Sequence, residues 1–301
     1  MKKSVILIFW LTFLFTAGYG AAAKTIEYYK NGQKKAEGFV KNNKKEGDWV
    51  NWHENGVKSS EGKFKEGKEN GYWVYWSESG ERKSEGEYVT GERHGIWMYW
   101  YEDGAKQSEI EYMNGRRHGP WISWYSGGQK RSEGEFKDNQ RYGPWQWWYS
   151  NGIVMFAGEF KEDKPHGMWT HRYENGEKRY EGEFRMGKKH GYWKKWYESG
   201  EIKYEEIYKD DMRNGYWVNW YESGLKRYEG YYENDEPQGI WTRWYEHGIK
   251  SEEGRYRDGV RVGKWISWHE NGKKKEEGDY EAGQRVGTWK EWDEDGIRVG
   301  D

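Results

Sequence analysis

The sequence predicts an all-β protein: an elongated tandem repeat of β-hairpins with a 24-residue period, laid out as a single antiparallel sheet, coiled or twisted. Three observations lead there. A G-x-W triplet recurs eleven times at a constant 24-residue spacing, from Gly47 with Trp49 to Gly287 with Trp289, without an insertion or deletion. The 301 residues include 23 Trp, 26 Tyr and 9 Phe although 34% are charged and the mean hydropathy is -1.34. Such polarity alone would suggest disorder, but disordered chains are poor in aromatics. Glycine recurs about every eight residues inside each repeat, and a helix-interior glycine costs roughly 1 kcal/mol, so helix is excluded in favour of short strands.

The first residues stand apart. Lys2 and Lys3 precede an apolar run, Val5 to Ala17, too short to span a bilayer, and Ala21-Ala22-Ala23 offers a small-residue cleavage site. Residues 1–23 are therefore expected to be a secretory signal peptide, and the mature chain to be exported to the periplasm, the outer surface or the medium. With no Cys, disulfides, thiolate metal sites and a cysteine-linked lipid anchor are excluded.

Residues 24–46 align with the repeat but carry Thr25 and Tyr28 where the tryptophans belong. They read as an N-terminal capping partial repeat, and 47–301 as eleven full ones. Within a repeat, Arg82 to Tyr88 reads as one strand, Thr90 to Arg93 as its turn, and Gly95 to Tyr101 as a second strand before the turn at Glu102-Asp103-Gly104. A glycine column (Gly62, Gly86, Gly134, Gly158 and onward) sits two residues before an aromatic column. The missing side chain would let a neighbouring indole lie flat on the backbone. Ile110 and Glu206 interrupt that column, so different packing is expected there.

A second Trp follows the first by three residues in ten copies, from Trp52 to Trp292, with Arg172 as the exception. Odd spacing puts the two rows on opposite faces of a regular strand, whereas a bulge would turn both inward. The column Val50, Val74, Met98, Ile122 joins the second row, which makes that face the more apolar by sequence. The sixth copy also lacks its column glutamate (Ala157) and has Pro165 in its turn, so local opening is expected near 157–173. Polar residues in the last copy, Lys290, Glu291 and Asp293, suit a sheet end.

The unit G-x-W-x-x-W-Y-E-x-G, then K-x-x-E-G-x-Y, seen cleanly from Gly71-Tyr72-Trp73 through Tyr88 and Gly91 to Gly95, resembles the MORN repeat, and more closely its bacterial variant found in YwqK-family antitoxin-like repeats. The resemblance covers essentially all of 24–301. It implies tandem β-hairpins serving as scaffolds, protein-binding arms or lipid-binding surfaces, and carries over no binding residue. The unit is also similar to choline- and glucan-binding repeats, whose aromatic grooves hold ligand.

No catalytic constellation emerges. His94, His118, His166 and His190 share one column, but column-mates lie two strands apart, about 10 Å, too far to share one ion. His53 and His269 replace a column tyrosine and need no special role. The glutamates from Glu37 to Glu277 recur in ten copies. Repetition gives them similar environments, unlike the paired carboxylates of a hydrolase, and cross-strand pairing with Lys or Arg is expected. No enzyme activity, cofactor or metal is expected. The net charge of -2 gives no support to nucleic-acid binding. One feature suggests a surface: Lys44, Lys45, Lys68, Arg93, Arg116, Arg117, Arg141, Lys164, Lys188, Lys189, Arg213, Arg261 and Arg285 precede the G-x-W triplets. Stacked repeats would line them along one basic edge, suited to an anionic lipid or cell-wall polymer. The expected function is an exported non-enzymatic scaffold whose partner is another protein. The alternative is a glycan or cell-wall polymer module with aromatic ladders.

Overall fold

The computed structural model describes residues 20–299; most of the expected signal peptide, residues 1–19, lies outside them. The chain divides into two compact units, up to Gln140 and from Arg141. In each unit the described residues form strands and turns, without helix, and the strands pair antiparallel with their chain neighbours in an open sheet, Met212–Arg213 and Gly215–Trp220 both pairing with Ile202–Lys209. The all-β hairpin expectation holds in both.

One repeat shows how the period is spent. The strand Arg82–Val89 has eight residues and the strand Glu92–Trp100 nine. Thr90 and Gly91, at φ 52° and 86°, make a two-residue turn between them. Two positive φ values match the right-handed twist of a hairpin. The return to the next hairpin is a five-residue turn in which Gly104 N donates to Tyr101 O (3.0 Å) and Tyr101 N to Ala105 O (2.9 Å), with Gly104 at φ 82°. The second strand thus begins at Glu92, not at Gly95, because two residues suffice to reverse the chain. Thr is β-branched and strained at positive φ. Thr90→Asn should therefore raise stability by about 0.5–1 kcal/mol, read as a higher urea midpoint at unchanged slope.

Gly95 lies inside the strand at φ 65° and creates a bulge. Glu85 faces Met98 and Glu87 faces His94, so three residues, Gly95 to Trp97, oppose Gly86. The bulge turns Trp97 onto Gly86, where a built Cβ would fall inside the indole. The same seating joins Trp49 to Gly38, Trp73 to Gly62, Trp169 to Gly158 and Trp193 to Gly182. Each of these indole N–H groups donates to the carbonyl of the residue after the glycine, at 3.0–3.1 Å. Seating thus satisfies the one polar atom of a buried indole. Trp97 also meets Tyr88 edge-on at 4.9 Å and 83°, and Phe184 meets Trp193 likewise at 4.9 Å and 86°.

The core is therefore the first tryptophan row, with Trp49, Trp73 and Trp97 at 1%, 2% and 0% exposure. The second row is only half-buried. This reverses the expectation from the aliphatic column, since the glycine seat buries an indole more completely than a Val or Met neighbour can.

Successive hairpins are tied by the five-residue turns. Tyr101 Oη donates to Trp124 O at 2.8 Å, and Tyr29, Tyr149, Tyr173, Tyr197, Tyr221 and Tyr245 repeat the bond 23 residues on. His53 and His269 hold the same place through Nε2, to Trp76 O (3.0 Å) and Trp292 O (2.8 Å). They carry the tyrosine's role, contrary to the reading that gave them none. Asn55 accepts from Val57 N and donates from Nδ2 to Glu78 O (2.8 Å), which explains the recurring Asn-Gly.

Candidate functional site

On the face opposite the core, the second row is covered by cations. Lys58 Nζ lies 5.4 Å from the Trp76 ring, Lys106 5.2 Å from Trp124, Lys178 5.4 Å from Trp196 and Lys274 5.1 Å from Trp292. Each cation also binds the column glutamate three residues on: Lys58 to Glu61 (2.6 Å), Lys106 to Glu109 (3.0 Å), Lys178 to Glu181 (2.7 Å). The glutamates were expected to pair across strands. Mostly they pair within one, because the register shift opposite each second tryptophan, as between Tyr75 and Trp76 against Ser84 and Arg82, offsets the short strand there. Cross-strand pairs do occur, as with Lys24 and Glu37 (2.6 Å) or Lys194 and Glu205 (2.8 Å). The hydrogen bonds from Lys24 and Lys34 hold the Glu37 carboxyl below its ordinary range.

The sixth repeat shows a coordinated exchange. Where Arg172 replaces Trp, the covering cation is Val154 and the column glutamate Ala157. A lysine there would face a guanidinium, so the three positions change together. Arg172 instead donates to Gly176 O at 2.9 Å. Strand pairing is intact, Phe156 opposite His171 and Ala157 opposite Thr170, and His171 stacks on Phe156 at 4.1 Å and 10°. Burial, with Arg179 nearby, pushes the His171 pKa down to about 4 from 6.5. The fold thus holds His171 neutral, while the unfolded chain takes up a proton below pH 6.5. The His171 contribution to stability should fall by about 2–3 kcal/mol between pH 6.5 and 4 and level off below. Urea unfolding across that range, read as the difference between the native chain and His171→Phe, checks this.

The two interruptions of the glycine column behave as expected. At Ile110 the strand register stays that of the regular repeats, with Trp121 opposite it, but the Trp121 N–H turns to Ser132 Oγ at 3.1 Å. At Glu206, the strand that follows is broken between Arg213 and Gly215, and the buried Trp217 N–H has no partner. Backbone irregularity thus falls on the eighth repeat and not the sixth. Amide exchange is expected to be fastest around 206–217, with 157–173 protected like its neighbours.

The basic edge separates into two columns. Lys45, Arg93, Arg117, Arg141, Lys189, Arg213, Arg261 and Arg285 fold back over the core aromatics. Lys45 sits 4.1 Å from the Trp49 ring, Arg141 3.9 Å from Phe160 and Arg261 4.0 Å from Trp265. Several also meet carboxylates, as Arg213 meets Asp235 at 2.8 Å. Lys44, Lys68, Arg116, Lys164 and Lys188 stand exposed one residue earlier. Since alternate strand residues face opposite ways, only the column from Lys45 to Arg285 lies over the core.

His94, His118, His166 and His190 each leave Nδ1 buried without a partner; the carboxylates of Asp138 and Asp210 stop 3.9 Å from His118 and His190. Among the described residues no group of three His, Asp or Glu is placed to hold a metal ion.

A row that sequence reading missed is the middle residue of G-x-W. Tyr72 and Ile96 in the first unit, and Met168, Tyr192, Tyr216 and Ile240 in the second, are 50–72% exposed. The signal was present: with the tryptophan turned inward, the residue before it must point outward, and in these copies it is apolar.

Comparison with known proteins adds the following. A family model described as a MORN repeat variant matches residues 23–42, 93–114, 117–138, 141–162, 189–210 and 261–282. No curated protein matches. The solved structure of TcdB2-TccC3-Cdc42 is similar over 90% of this chain and 20% of its own, at 8% identity and a TM-score of 0.18. That of TcdB2-TccC3 is similar over 89% and 17%, at 11% identity and 0.19. The chain spans about a fifth of the length of those it matches.

Proposed function

Because the chain is built of MORN-variant repeats, we propose that it is an exported, non-enzymatic scaffold that docks another protein on the face of the second tryptophan row. The supporting observation is the row of exposed apolar side chains, Met168, Tyr192, Tyr216 and Ile240, in four consecutive repeats of the second unit. Scattered surface apolars need no explanation, but an aligned set marks an interaction surface. Half-exposed ion pairs such as Lys178 with Glu181 and Lys226 with Glu229 flank it, giving the polar rim that interfaces carry. The second tryptophan row is a poor open ladder for a polysaccharide, since a cation already lies 5.1–5.9 Å from each of eight of its rings.

The test is affinity capture from the cell envelope with the native chain and with Tyr192→Ser, Tyr216→Ser and Ile240→Ser combined. A protein retained by the native chain and lost with the variant, whose circular dichroism is unchanged, is the expected result. Retention by both, with binding to anionic vesicles lost on replacing Lys44, Lys68 and Lys188, would transfer the function to the basic edge. Mass spectrometry of the recovered protein should show an N-terminus after Ala23; an intact Met1 on a membrane-bound chain would overturn export by cleavage.

A further inference from the structure

The eighth repeat carries a second kind of site. A cleft of about 580 Å³ opens there, lined by Trp217, Tyr228, Tyr232 and Trp241 among other rings, with Arg227 and Arg243. That volume falls within the range of small-ligand pockets. Its origin is in the sequence. Glu206 occupies the glycine column, so Trp217 cannot lie on the strand as the tryptophans seated on glycine do. The Trp217 ring instead meets Tyr228 at 4.9 Å and 74°, Tyr232 at 5.0 Å and 46° and Trp241 at 6.1 Å and 77°. It is half-buried, while Trp193 and Trp241 in the flanking repeats are buried. The Glu206 carboxylate itself is buried, at 4% exposure, and accepts from Tyr208 Oη at 2.8 Å.

The lining chemistry selects a ligand class. Arg213 covers the Trp217 and Tyr232 rings, at 5.3 and 4.0 Å, and leaves the Tyr228 ring for the C–H face of a pyranose. Phenols and the Ser251 hydroxyl, also at the cleft, both donate and accept, as sugar hydroxyls do. The guanidiniums are available: Arg227 lies against the Tyr221 ring at 5.6 Å and makes no ion pair among the described residues, and Arg243 is held only by a 3.8 Å contact to Glu252. A guanidinium fork binds a carboxylate in two-point fashion. Fixed amide groups that would read a base edge are absent from this lining. We propose that this cleft binds an acidic sugar of the uronic-acid class, its ring against Tyr228 and its carboxylate on Arg227 and Arg243.

The experiment is titration calorimetry of the full mature chain with digalacturonate, its neutral digalactose counterpart and uridine monophosphate. Digalacturonate should bind at about millimolar or tighter, with the neutral sugar at least about tenfold weaker. Glu206→Gly restores the seat for Trp217 and closes the cleft. It should raise the melting temperature while weakening digalacturonate at least about tenfold. Arg243→Gln, a surface change that leaves the strands intact, should weaken it by a similar factor and leave melting unchanged. No binding up to about 10 mM, equal binding by Glu206→Gly or Arg243→Gln, or tighter binding of the nucleotide would overturn the proposal.

Discussion

Trp97→Ala is expected to destabilise the first unit by about 3–5 kcal/mol, the range for deleting a fully buried large aromatic side chain. Trp97 is at 0% exposure, lies on Gly86, donates to Glu87 O at 3.1 Å and has Tyr88 and Tyr112 edge-on to its ring. Alanine removes all of these and leaves a cavity that the backbone cannot fill. Trp100→Ala, three residues on, should lose only about 1–2 kcal/mol, since that ring is half-exposed. Urea unfolding followed by circular dichroism compares the two. Equal losses would mean that the two rows share the core.

Gly86→Ala is the complementary change and should lose about 1–3 kcal/mol. Its Cβ would fall within the Trp97 indole, against ring atoms held on both sides. The chain contains natural versions of this substitution. Ile110 and Glu206 each place a side chain where glycine belongs; the Trp121 indole then turns to Ser132 Oγ, and Trp217 lies half-buried while Trp193 and Trp241 are buried. Gly86→Ala should therefore unseat Trp97, visible as a red shift of tryptophan emission along with the lost stability. A red shift without destabilisation would show that the seat is not what buries the row.

The period, the hairpins and the glycine seats were legible in the sequence because each rests on local chemistry repeated eleven times. Asn-Gly turns, a side-chain-free position two residues before an aromatic, and tryptophans at odd spacing leave little choice. The disrupted repeats at Ile110 and Glu206 were legible for the same reason. What remained hidden depended on the bulge at Gly95. A single positive-φ glycine inside a strand seats the first tryptophan and opposes three residues to one. By pattern alone that glycine reads as the first residue of the strand, after the turn at Thr90 to Arg93. The within-strand pairing of Lys58 with Glu61 follows from the other register shift, opposite the second tryptophan, and was equally invisible. The sixth repeat was taken for a weak point because its substitutions were counted singly. Side by side, Val154, Ala157 and Arg172 form one exchanged set, and His171 fills the face by stacking on Phe156. The exposed row at Tyr192 and Tyr216 was missed because the burial of its neighbour decides its direction.

Each hairpin buries its indole on the strand before it and ties its turn to the repeat after it, so stability should reside in the interfaces between repeats. Urea unfolding of chains shortened to four, six and eight repeats is the most direct measurement of this. A midpoint and slope that both rise with each added pair of repeats are the expected result. Identical midpoints at every length would contradict it, since each hairpin would then be holding itself together without its neighbours.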